Sequence, residues 1–281
     1  MKRIIFTGGL GNQMFQYALM LSLKSKGIKV SPDTTTYEST ITHNGFELEK
    51  IFNTSVTFKK SNRFQRLYAK IIRRKQFSRL WYKEARPMVY DKNVYNTSKL
   101  FFGGNWVSEQ YFKDIKEQII SEFEFKNINL GNLNIAKKMH SQESVSVHIR
   151  RGDYLKFKNF QVCGLEYYTK AIQNICDKIK KPVFYIFSND PEWSGVFMKK
   201  FNVQFHIINI NNGENSYMDM YLMSQCKHNI IANSTFSWWG AYLNKNPEKI
   251  VVSPKQWLRH IDCNPNIETW TIIESELPEI E

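Results

Sequence analysis

The sequence has few cysteines and no long apolar run, and both absences limit where the protein can work. Its 281 residues include four cysteines, which are widely spaced and form no C-x-x-C pair. We interpret them as reduced thiols packed in the interior. No apolar run approaches the ~18 residues of a membrane span, and the N-terminal segment has too few apolar residues for a signal peptide. We therefore expect a cytoplasmic protein.

Several catalytic signatures are absent as well. Neither G-x-S-x-G nor H-E-x-x-H occurs, which leaves hydrolase and metalloprotease chemistry without support. The chain also contains no D-x-D motif, and this absence argues against a metal-dependent nucleotide-sugar site. We expect neither a bound metal nor a cofactor.

Positive charge is plentiful but lies mostly in one segment, residues 59–86. The chain has a net charge of +13. This segment contains 11 lysines and arginines and one acidic residue, Glu84, so it carries +10 of that charge. Its apolar residues follow helical spacing: Phe64, Leu67, Tyr68, Ile71 and Ile72. The segment is either a solvated helix whose apolar stripe packs on the core, or a peripheral contact with the inner face of a membrane or an acidic, lipid-linked substrate. No base-stacking motif accompanies the charge, so we expect no nucleic-acid partner.

Short apolar strands alternate with amphipathic helices, and this order predicts an α/β fold with parallel sheets. The alternation is clear at the N-terminus and again in the second half, from the strand at residues 144–149 onwards. Between Tyr37 and Asn105 only the basic helix is distinct. Residues 126–143 are rich in asparagine and lysine, which indicates a linker between two domains.

Polar residues follow four of the predicted strands. They occur in GGLGNQ (residues 8–13), HIRRGDY (148–154), SNDPEW (188–193) and NSTFSWWG (233–240). Open parallel sheets bind ligands at the carboxyl ends of their strands. We therefore predict that these motifs form the polar rim of a ligand site.

The HIRRGDY motif predicts an anion site. A guanidinium group stays charged and binds phosphate oxygens through two parallel hydrogen bonds. One of Arg150 and Arg151 can face a ligand, and the other then pairs with Asp153 or a carboxylate across the cleft. A purely structural ion-pair network is the alternative interpretation.

The GGLGNQ motif combines glycines with two amide side chains. Glycines let the backbone approach a ligand closely, and the amides of Asn12 and Gln13 suit hydroxyl and phosphoryl oxygens. The dinucleotide pattern G-x-G-x-x-G is incomplete because Met14 occupies its third glycine position. A structural turn remains the alternative.

The last two motifs each have a ligand-binding and a structural interpretation. Ser234, Thr235 and Ser237 lie at a predicted helix N-terminus, where backbone N–H groups and hydroxyls can hold a phosphate. The same residues are ordinary helix caps. Asp190 can bind a purine edge or a ribose hydroxyl, or it can cap the helix that follows it.

Together, GGLGNQMFQYA, HIRRGDY, FSNDPEW and NSTFSWWGAYLN closely resemble the bacterial α-1,2-fucosyltransferases of glycosyltransferase family 11. The resemblance implies a GT-B-like architecture, in which two Rossmann-like domains face a cleft. Residues 1–135 would form an N-terminal acceptor-side domain with the basic helical insert. Residues 136–281 would form a C-terminal GDP-fucose-binding domain. The acidic tail ESELPEIE lies outside the four motifs.

The resemblance also implies the reaction: transfer of fucose, with inversion and without a metal, from GDP-β-L-fucose to a galactose in an oligosaccharide or lipid-linked glycan. In the family, the first arginine of the motif, here Arg150, binds the donor pyrophosphate, and His148 lies near the nucleoside. The candidate catalytic residues are Arg150, Asn12 and Asp153. The candidate donor-binding residues are Gly11, Gln13, His148, Arg150, Ser188, Asp190, Asn233, Ser234, Thr235, Phe236 and Ser237.

Two questions stay open in the sequence. The base that accepts the proton of the acceptor hydroxyl is not identifiable, although Asp153 and Glu166 are candidates. The arginine motif is also shared by α-1,6-type fucosyl and other GDP-sugar transferases. A further alternative is a non-catalytic nucleotide- or glycan-binding module, which would bind GDP without consuming GDP-fucose.

Overall fold

The computed structural model of the chain describes residues 1–39, 44–152 and 154–280. The chain divides into two compact units, Met1–Lys126 and Asn127–Glu281. This division lies within the predicted linker at residues 126–143, whereas the predicted boundary after residue 135 falls inside a helix of the second unit. Within the described ranges, no helix combines the length and the apolar composition that crossing a membrane requires.

The first unit is built on a parallel sheet. Its strands and α-helices, in chain order, are β1 (Lys2–Ile5), α1 (Leu10–Ser25), β2 (Val30–Asp33), α2 (Thr35–Ser39), α3 (Leu48–Ile51), α4 (Arg63–Ile72), β3 (Trp81–Lys83), β4 (Phe101–Gly103) and α5 (Lys116–Glu122). The described strands lie in the order β2-β1-β4-β3, and every neighbouring pair is parallel.

Helix α1 forms where its apolar spacing predicts it. The residues that define the predicted stripe are all buried: Met14, Tyr17, Ala18 and Leu21. The 3.6-residue period places them on one side of the helix. Gly27, just beyond the helix, has a φ of +74°, a left-handed conformation that glycine adopts without strain and that commonly ends helices.

The second unit is built on a longer parallel sheet. Its elements are α6 (Leu130–His140), β5 (Ser144–Ile149), α7 (Leu165–Lys178), β6 (Val183–Ser188), α8 (Pro191–Met198), β7 (Gln204–Ile208), α9 (Tyr217–Gln225), β8 (His228–Ile230), α10 (Thr235–Tyr242), β9 (Val251–Pro254) and β10 (Thr271–Ile273). The described strands lie in the order β7-β6-β5-β8-β9-β10 and are parallel throughout. This is the strand order of the Rossmann fold.

Strand β5 presents different chemistry to its two faces because side chains alternate along a strand. Val145, Val147 and Ile149 pack in one apolar cluster with α7 and α8. On the other face, the Ser146 hydroxyl accepts a hydrogen bond from the Asn229 amide at 2.7 Å. Every residue of β5 is buried, as expected for a parallel strand covered by helices on both sides.

Several elements were not predicted from the sequence, among them β3, β4, β10 and α6. The three strands are three residues long, which is too short to show a period. Helix α6 occupies the predicted linker, and it buries Asn132 together with two apolar residues. The Asn132 side chain exchanges two amide hydrogen bonds of 2.9 Å with Asn211. A polar pairing of this kind has no apolar signature in the sequence.

A carboxyl group lies next to this amide pair. Asn211 also donates a hydrogen bond of 2.8 Å to Oδ1 of Asp219 on α9. Burial raises the pKa of Asp219 to about 7, and the hydrogen bond from Asn211 offsets part of the increase. The folded protein therefore keeps a proton on Asp219 at pH values where an unfolded chain, with a pKa of about 3.9, has released it.

We predict that the free energy of unfolding falls as the pH rises from about 4 to about 7, because only the folded state keeps the Asp219 proton over that range. Asp219→Asn should remove this contribution and stabilise the protein above about pH 7, by at most about 4 kcal/mol. Denaturant unfolding of both proteins at several pH values measures the effect. Asp262→Asn, which changes an exposed carboxylate, is the control, and a wild-type pH profile for Asp219→Asn would contradict the prediction.

Candidate active site

Two of the predicted motifs meet at the point where the strand order of the second unit reverses. The chain continues from β5 to β6 and β7 on one side, whereas β8, β9 and β10 lie on the other side. The crevice at the carboxyl ends of such strands is where open α/β sheets bind ligands. HIRRGDY spans the end of β5, and NSTFSWWG follows β8. The two motifs are in contact, because the Tyr154 hydroxyl donates a hydrogen bond of 3.2 Å to the Asn233 carbonyl.

Arg151 is held against the start of α8. Its backbone N–H donates to Oδ1 of Asn189 at 3.0 Å, and its guanidinium carbon lies 4.4 Å from the centre of the Trp193 ring. Its Nε lies 3.7 Å from Oδ2 of Asp190. Arg151 thus lies beside a carboxylate, and that carboxylate is Asp190, which follows the neighbouring strand β6. The predicted partner Asp153, which is also a candidate catalytic residue, lies outside the described residues.

Arg150 lies on the wall of a cavity beside the end of β5. Its guanidinium carbon is 5.3 Å from the centre of the Tyr154 ring, a cation–π contact that orients the cation. Tyr154 is in turn bonded to the carbonyl of Asn233. The position of Arg150 therefore depends on the segment that follows β8, as well as on its own strand.

His148 is buried at the end of β5, with 5% of its surface exposed. Its ring centre lies 6.0 Å from that of Phe236 on α10. Its carbonyl accepts a hydrogen bond of 3.1 Å from the Tyr168 hydroxyl on α7. His148 therefore contacts helices on both faces of the sheet.

The side chain of Asn233 connects two loops by hydrogen bonds. Its side-chain amide is buried and donates to the carbonyls of Phe160 and Trp257, each at 2.9 Å. These bonds join the loop after β5 to the segment after β9. Asn233 was predicted to bind the donor, and in the described structure its amide protons hold the loops around the crevice.

Helix α10 begins at the edge of the same crevice. Ser234 is its N-terminal cap residue but makes no side-chain capping bond, and the Ser237 hydroxyl donates to the Ser234 carbonyl at 3.3 Å. Thr235 and Phe236 are half-buried, whereas Ser234 and Ser237 are buried. The first-turn N–H groups of a helix have no acceptor within the helix and favour anions. The two tryptophans that follow, Trp238 and Trp239, are fully buried and act in packing.

Two roles were predicted for Asp190 after β6, ligand binding and helix capping, and the structure shows the capping role. The Ser188 hydroxyl accepts a hydrogen bond of 3.0 Å from the Asp190 backbone. Oδ1 of Asp190 then caps α8 by accepting from the Trp193 N–H at 3.1 Å. With Oδ2 near Arg151, both carboxylate oxygens of Asp190 have partners in the protein.

The remaining candidates, Gly11, Asn12 and Gln13, belong to the first unit, at the start of α1. Gln13 is fully buried: it donates to the carbonyls of Gly8 and Gly45 and accepts from the Glu47 N–H. Asn12 is half-buried, and Gly8 has a φ of +79°. A Cβ atom on Gly8 would lie 2.6 Å from Nδ2 of Asn12, and the positive φ itself favours glycine at this position. Gln13 positions this loop through these three hydrogen bonds.

The cavity beside Arg150 has a volume of about 480 Å³. Its wall consists of both arginines, Tyr154, Leu155, Phe160–Glu166, Tyr168, Trp193 and Glu276–Glu279. The last of these ranges belongs to the acidic C-terminal tail, residues 274–280. The sequence motifs did not indicate that the tail lines the site, and only the opposite charges of the tail and the arginines could have suggested it.

Specific contacts hold the tail in the cavity wall. The Glu276 N–H donates to Oε2 of Glu166 at 2.8 Å, and the Arg259 guanidinium donates to the Pro278 carbonyl. Pro278 also packs directly on Gly164, where a Cβ atom would lie 2.9 Å from the proline Cβ. The tail therefore depends on a glycine at position 164.

Two other residues of the wall could take part in chemistry. Glu166, a candidate base, lies 2.5 Å from Lys170, and the hydrogen bond from Lys170 holds the pKa of Glu166 below its ordinary value. This shift weakens Glu166 as a base. Burial raises the pKa of the Cys163 thiol to about 12, so Cys163 stays protonated and is not a nucleophile at neutral pH.

Comparison with known proteins matches this chain to sugar transferases. The model of the family described as glycosyl transferase family 11 matches residues 1–260. An alpha-1,2-colitosyltransferase of Escherichia coli is 34% identical over 95% of this chain and 97% of its own. The O-antigen biosynthesis glycosyltransferase WbnK of Escherichia coli is 34% identical over 89% and 93%. Galactoside alpha-(1,2)-fucosyltransferase 1 of Plecturocebus brunneus is 31% identical over 47% of this chain and 40% of that protein.

Among solved structures, the fucosyltransferase NodZ from Bradyrhizobium superposes with a TM-score of 0.52 at 14% identity. The match covers 85% of this chain and 91% of that one. At this identity the likeness concerns the fold, and it confirms the predicted GT-B-like α/β architecture.

The contact between Gly164 and Pro278 leads to a prediction. Gly164→Ala should displace the tail from the cavity wall, because overpacking of this kind costs about 1–3 kcal/mol. A glutamate-specific protease should then cleave the tail about tenfold faster, as followed by mass spectrometry. Gly195→Ala is the matched control, since nothing lies within 4 Å of a Cβ atom placed there. Equal cleavage rates for the two variants would show that the tail does not depend on Gly164.

Proposed function

The chain belongs to glycosyltransferase family 11, and we propose that it is a galactoside α-1,2-fucosyltransferase. In this proposal it moves L-fucose from GDP-β-L-fucose to the 2-hydroxyl of a galactose in an oligosaccharide or lipid-linked glycan. The α-1,2 linkage is supported by the names of two relatives, a colitosyltransferase and a fucosyltransferase. A surface polysaccharide is the proposed acceptor, because a third relative is named for O-antigen biosynthesis.

The observation that carries this proposal is the chain of contacts from Arg150 through Tyr154 to Asn233, which directly precedes Ser234, the cap residue of α10. A diphosphate needs permanent positive charge and N–H donors on more than one side. Arg150 offers a planar fork of donors at the end of β5, and α10 offers its first-turn N–H groups after β8. The bond between Tyr154 and Asn233 connects the two.

We propose a single displacement at the anomeric carbon of fucose. The acceptor 2-hydroxyl oxygen attacks from the side opposite to GDP and forms the new C–O bond. The bond from the anomeric carbon to the phosphate oxygen breaks, and GDP leaves with its electron pair. The proton of the hydroxyl passes to solvent or to a base. Inversion at the anomeric carbon follows from this geometry.

In this mechanism Arg150 and the start of α10 stabilise the charge that grows on GDP as it leaves. Donors aimed at developing charge are commonly the largest contribution to such a step. We propose that these groups replace a metal ion, since the sequence has no D-x-D motif to hold one. Arg151 holds the loop through Trp193 and Asp190.

The other candidates have supporting roles in this proposal. His148 and Phe236 contact each other beside the crevice, which suits them to a place near the nucleoside. Asn12 would act on the acceptor side, because its loop belongs to the first unit. Gly11 and Gln13 would shape that loop, and the amide of Gln13 is already bonded to Gly8 in the loop and to Gly45 and Glu47 outside it.

A second candidate is transfer of colitose from its GDP form. It is favoured by the 34% identity to the colitosyltransferase over nearly the whole chain. Colitose differs from fucose by the absence of one hydroxyl. A site built to hydrogen-bond that hydroxyl discriminates against the sugar without it by about 10⁴-fold or more. Competition between the two donors, expressed as a ratio of kcat/KM, separates the candidates.

The direct test is incubation with GDP-fucose and a lactose-type acceptor, followed by mass and linkage analysis of the product. An α-1,2-fucosylated galactose supports the proposal. An α-1,6 linkage would indicate the other fucosyl chemistry that shares the arginine motif. Binding of GDP without consumption of GDP-fucose would indicate a non-catalytic binding module.

We predict that GDP stabilises the protein against thermal unfolding more than UDP or NAD does. A ligand at 100-fold excess over its dissociation constant contributes about 2.7 kcal/mol. Differential scanning fluorimetry at equal nucleotide concentrations measures the shift. A rise in the unfolding temperature with NAD and none with GDP would contradict the prediction and would favour a dinucleotide site at the GGLGNQ motif.

Arg150→Lys should lower the initial rate at saturating GDP-fucose by about 10²-fold or more, the loss expected when one charge-stabilising donor is removed. Lysine keeps the charge but loses the planar fork. Arg151→Lys is the matched control and should be milder, because Arg151 contacts Trp193 and Asp190. Circular dichroism checks that both variants fold.

Chelation by EDTA should leave the wild-type rate unchanged. The metal-free arginine mechanism is wrong if EDTA abolishes turnover, or if Arg150→Lys runs near the wild-type rate.

A further inference from the structure

Helix α4 presents large apolar side chains to solvent. Phe64 is 81% exposed and Leu67 is 57% exposed. Another side of the same helix is buried at Ala69 and Ile72. The apolar stripe predicted from the sequence is therefore divided, and only part of it packs on the core.

The helix cannot bury the exposed pair by rotating. Ile72 packs in an apolar cluster with Phe101 of β4, and its carbonyl accepts a hydrogen bond of 2.9 Å from the Trp81 indole. Rotation of α4 would break both contacts. Phe64 and Leu67 are thus held in an outward position by the packing of the rest of the helix.

A row of basic side chains runs beside the exposed pair. Arg63, Arg66 and Lys70 are exposed, and their spacing of three and four residues places them along one side of the helix. Arg74, which lies just beyond the helix end at Ile72, is also exposed, and we count it with this row. Arg66 also lies 3.6 Å from Glu38. We call this row, together with Phe64 and Leu67, the α4 face. It lies in the segment that supplies +10 of the net charge.

We propose that the α4 face binds the surface of an anionic phospholipid bilayer. Phe64 and Leu67 would enter the boundary between headgroups and acyl chains, and the basic row would contact the headgroup phosphates. A helix with an apolar strip beside a basic strip is suited to lie in that interface. Charge complementarity selects anionic over zwitterionic lipid. The inference does not rest on the identity of the donor sugar.

A purely electrostatic surface would look different. Binding to a soluble polyanion such as a nucleic acid requires the charges, but it gives no reason for a leucine beside a phenylalanine to stay in water. The two components of the α4 face can therefore be tested separately.

The test is co-sedimentation of the full chain with vesicles, without any sugar nucleotide. One set of vesicles contains phosphatidylcholine and phosphatidylglycerol, and the other contains phosphatidylcholine alone. The wild type should bind the first set more tightly, and added salt should weaken that binding. The triple variant Arg63→Gln, Lys70→Gln, Arg74→Gln should bind these vesicles on the order of 100-fold more weakly, because each lost charge lowers the affinity about fivefold.

The double variant Phe64→Ser, Leu67→Ser tests the apolar component and should weaken binding about tenfold or more. The matched controls lie in the second unit. Val196→Ser removes an apolar side chain that is 65% exposed, and Lys178→Gln, Lys180→Gln, Lys200→Gln removes three exposed charges. Both controls should bind like the wild type, and all variants should keep turnover on a soluble acceptor.

Three outcomes would overturn the proposal. The first is equal binding of the wild type to both kinds of vesicle, or to neither. The second is unchanged binding when Phe64 and Leu67 are replaced, which would leave only a general anion surface. The third is equal loss of vesicle binding and of turnover on a soluble acceptor, which would place the α4 face in the acceptor site. Because binding is measured without a donor, failure here leaves the proposed fucosyl transfer untouched.

Discussion

The parallel pairing of β5 with β8 is the interaction on which the candidate site depends. Val147 lies opposite Ile230 in this pairing, so both strands end at the same edge of the sheet. Segments separated by about 80 residues of chain are thereby brought side by side. One contributes a guanidinium group and the other the start of a helix. In the proposed function, neither segment alone would surround the diphosphate, whereas the two together would offer donors on two sides.

The loops at this edge are fixed by amides and aromatic rings. Asn233 clamps the loops around the crevice, and Tyr154 links Arg150 to the same segment. A site that stabilises developing charge gains from donors that are already in place, because they need not reorganise during the reaction. The two arginines, which both line the cavity wall, differ in their neighbours. Arg151 contacts Trp193 and Asp190 at the start of α8, whereas Arg150 contacts Tyr154.

The fold of the second unit was largely predictable, and much of the first unit was not. Strands β5 and β6 begin and end where the apolar runs predict them, because fully buried parallel strands are continuously apolar. Strands β3 and β4 are too short to show a period. Helix α6 is held partly through the amide pair of Asn132 and Asn211. Interactions between polar groups distant in the sequence leave no periodic signal.

For the candidate site, the sequence by itself determined the chemistry at the strand ends: arginines after β5, hydroxyls and a helix start after β8, and amides after β1. These follow from local order, since a strand, a turn and a helix are specified by neighbouring residues. Only the tertiary structure decided which polar groups remain available. Gln13 and Asn233 looked like ligand-binding amides, but contacts 24 to 73 residues away along the chain occupy their donors. The same long-range packing placed the acidic tail in the cavity wall and held Phe64 outward, because burial depends on what the rest of the chain brings to a residue.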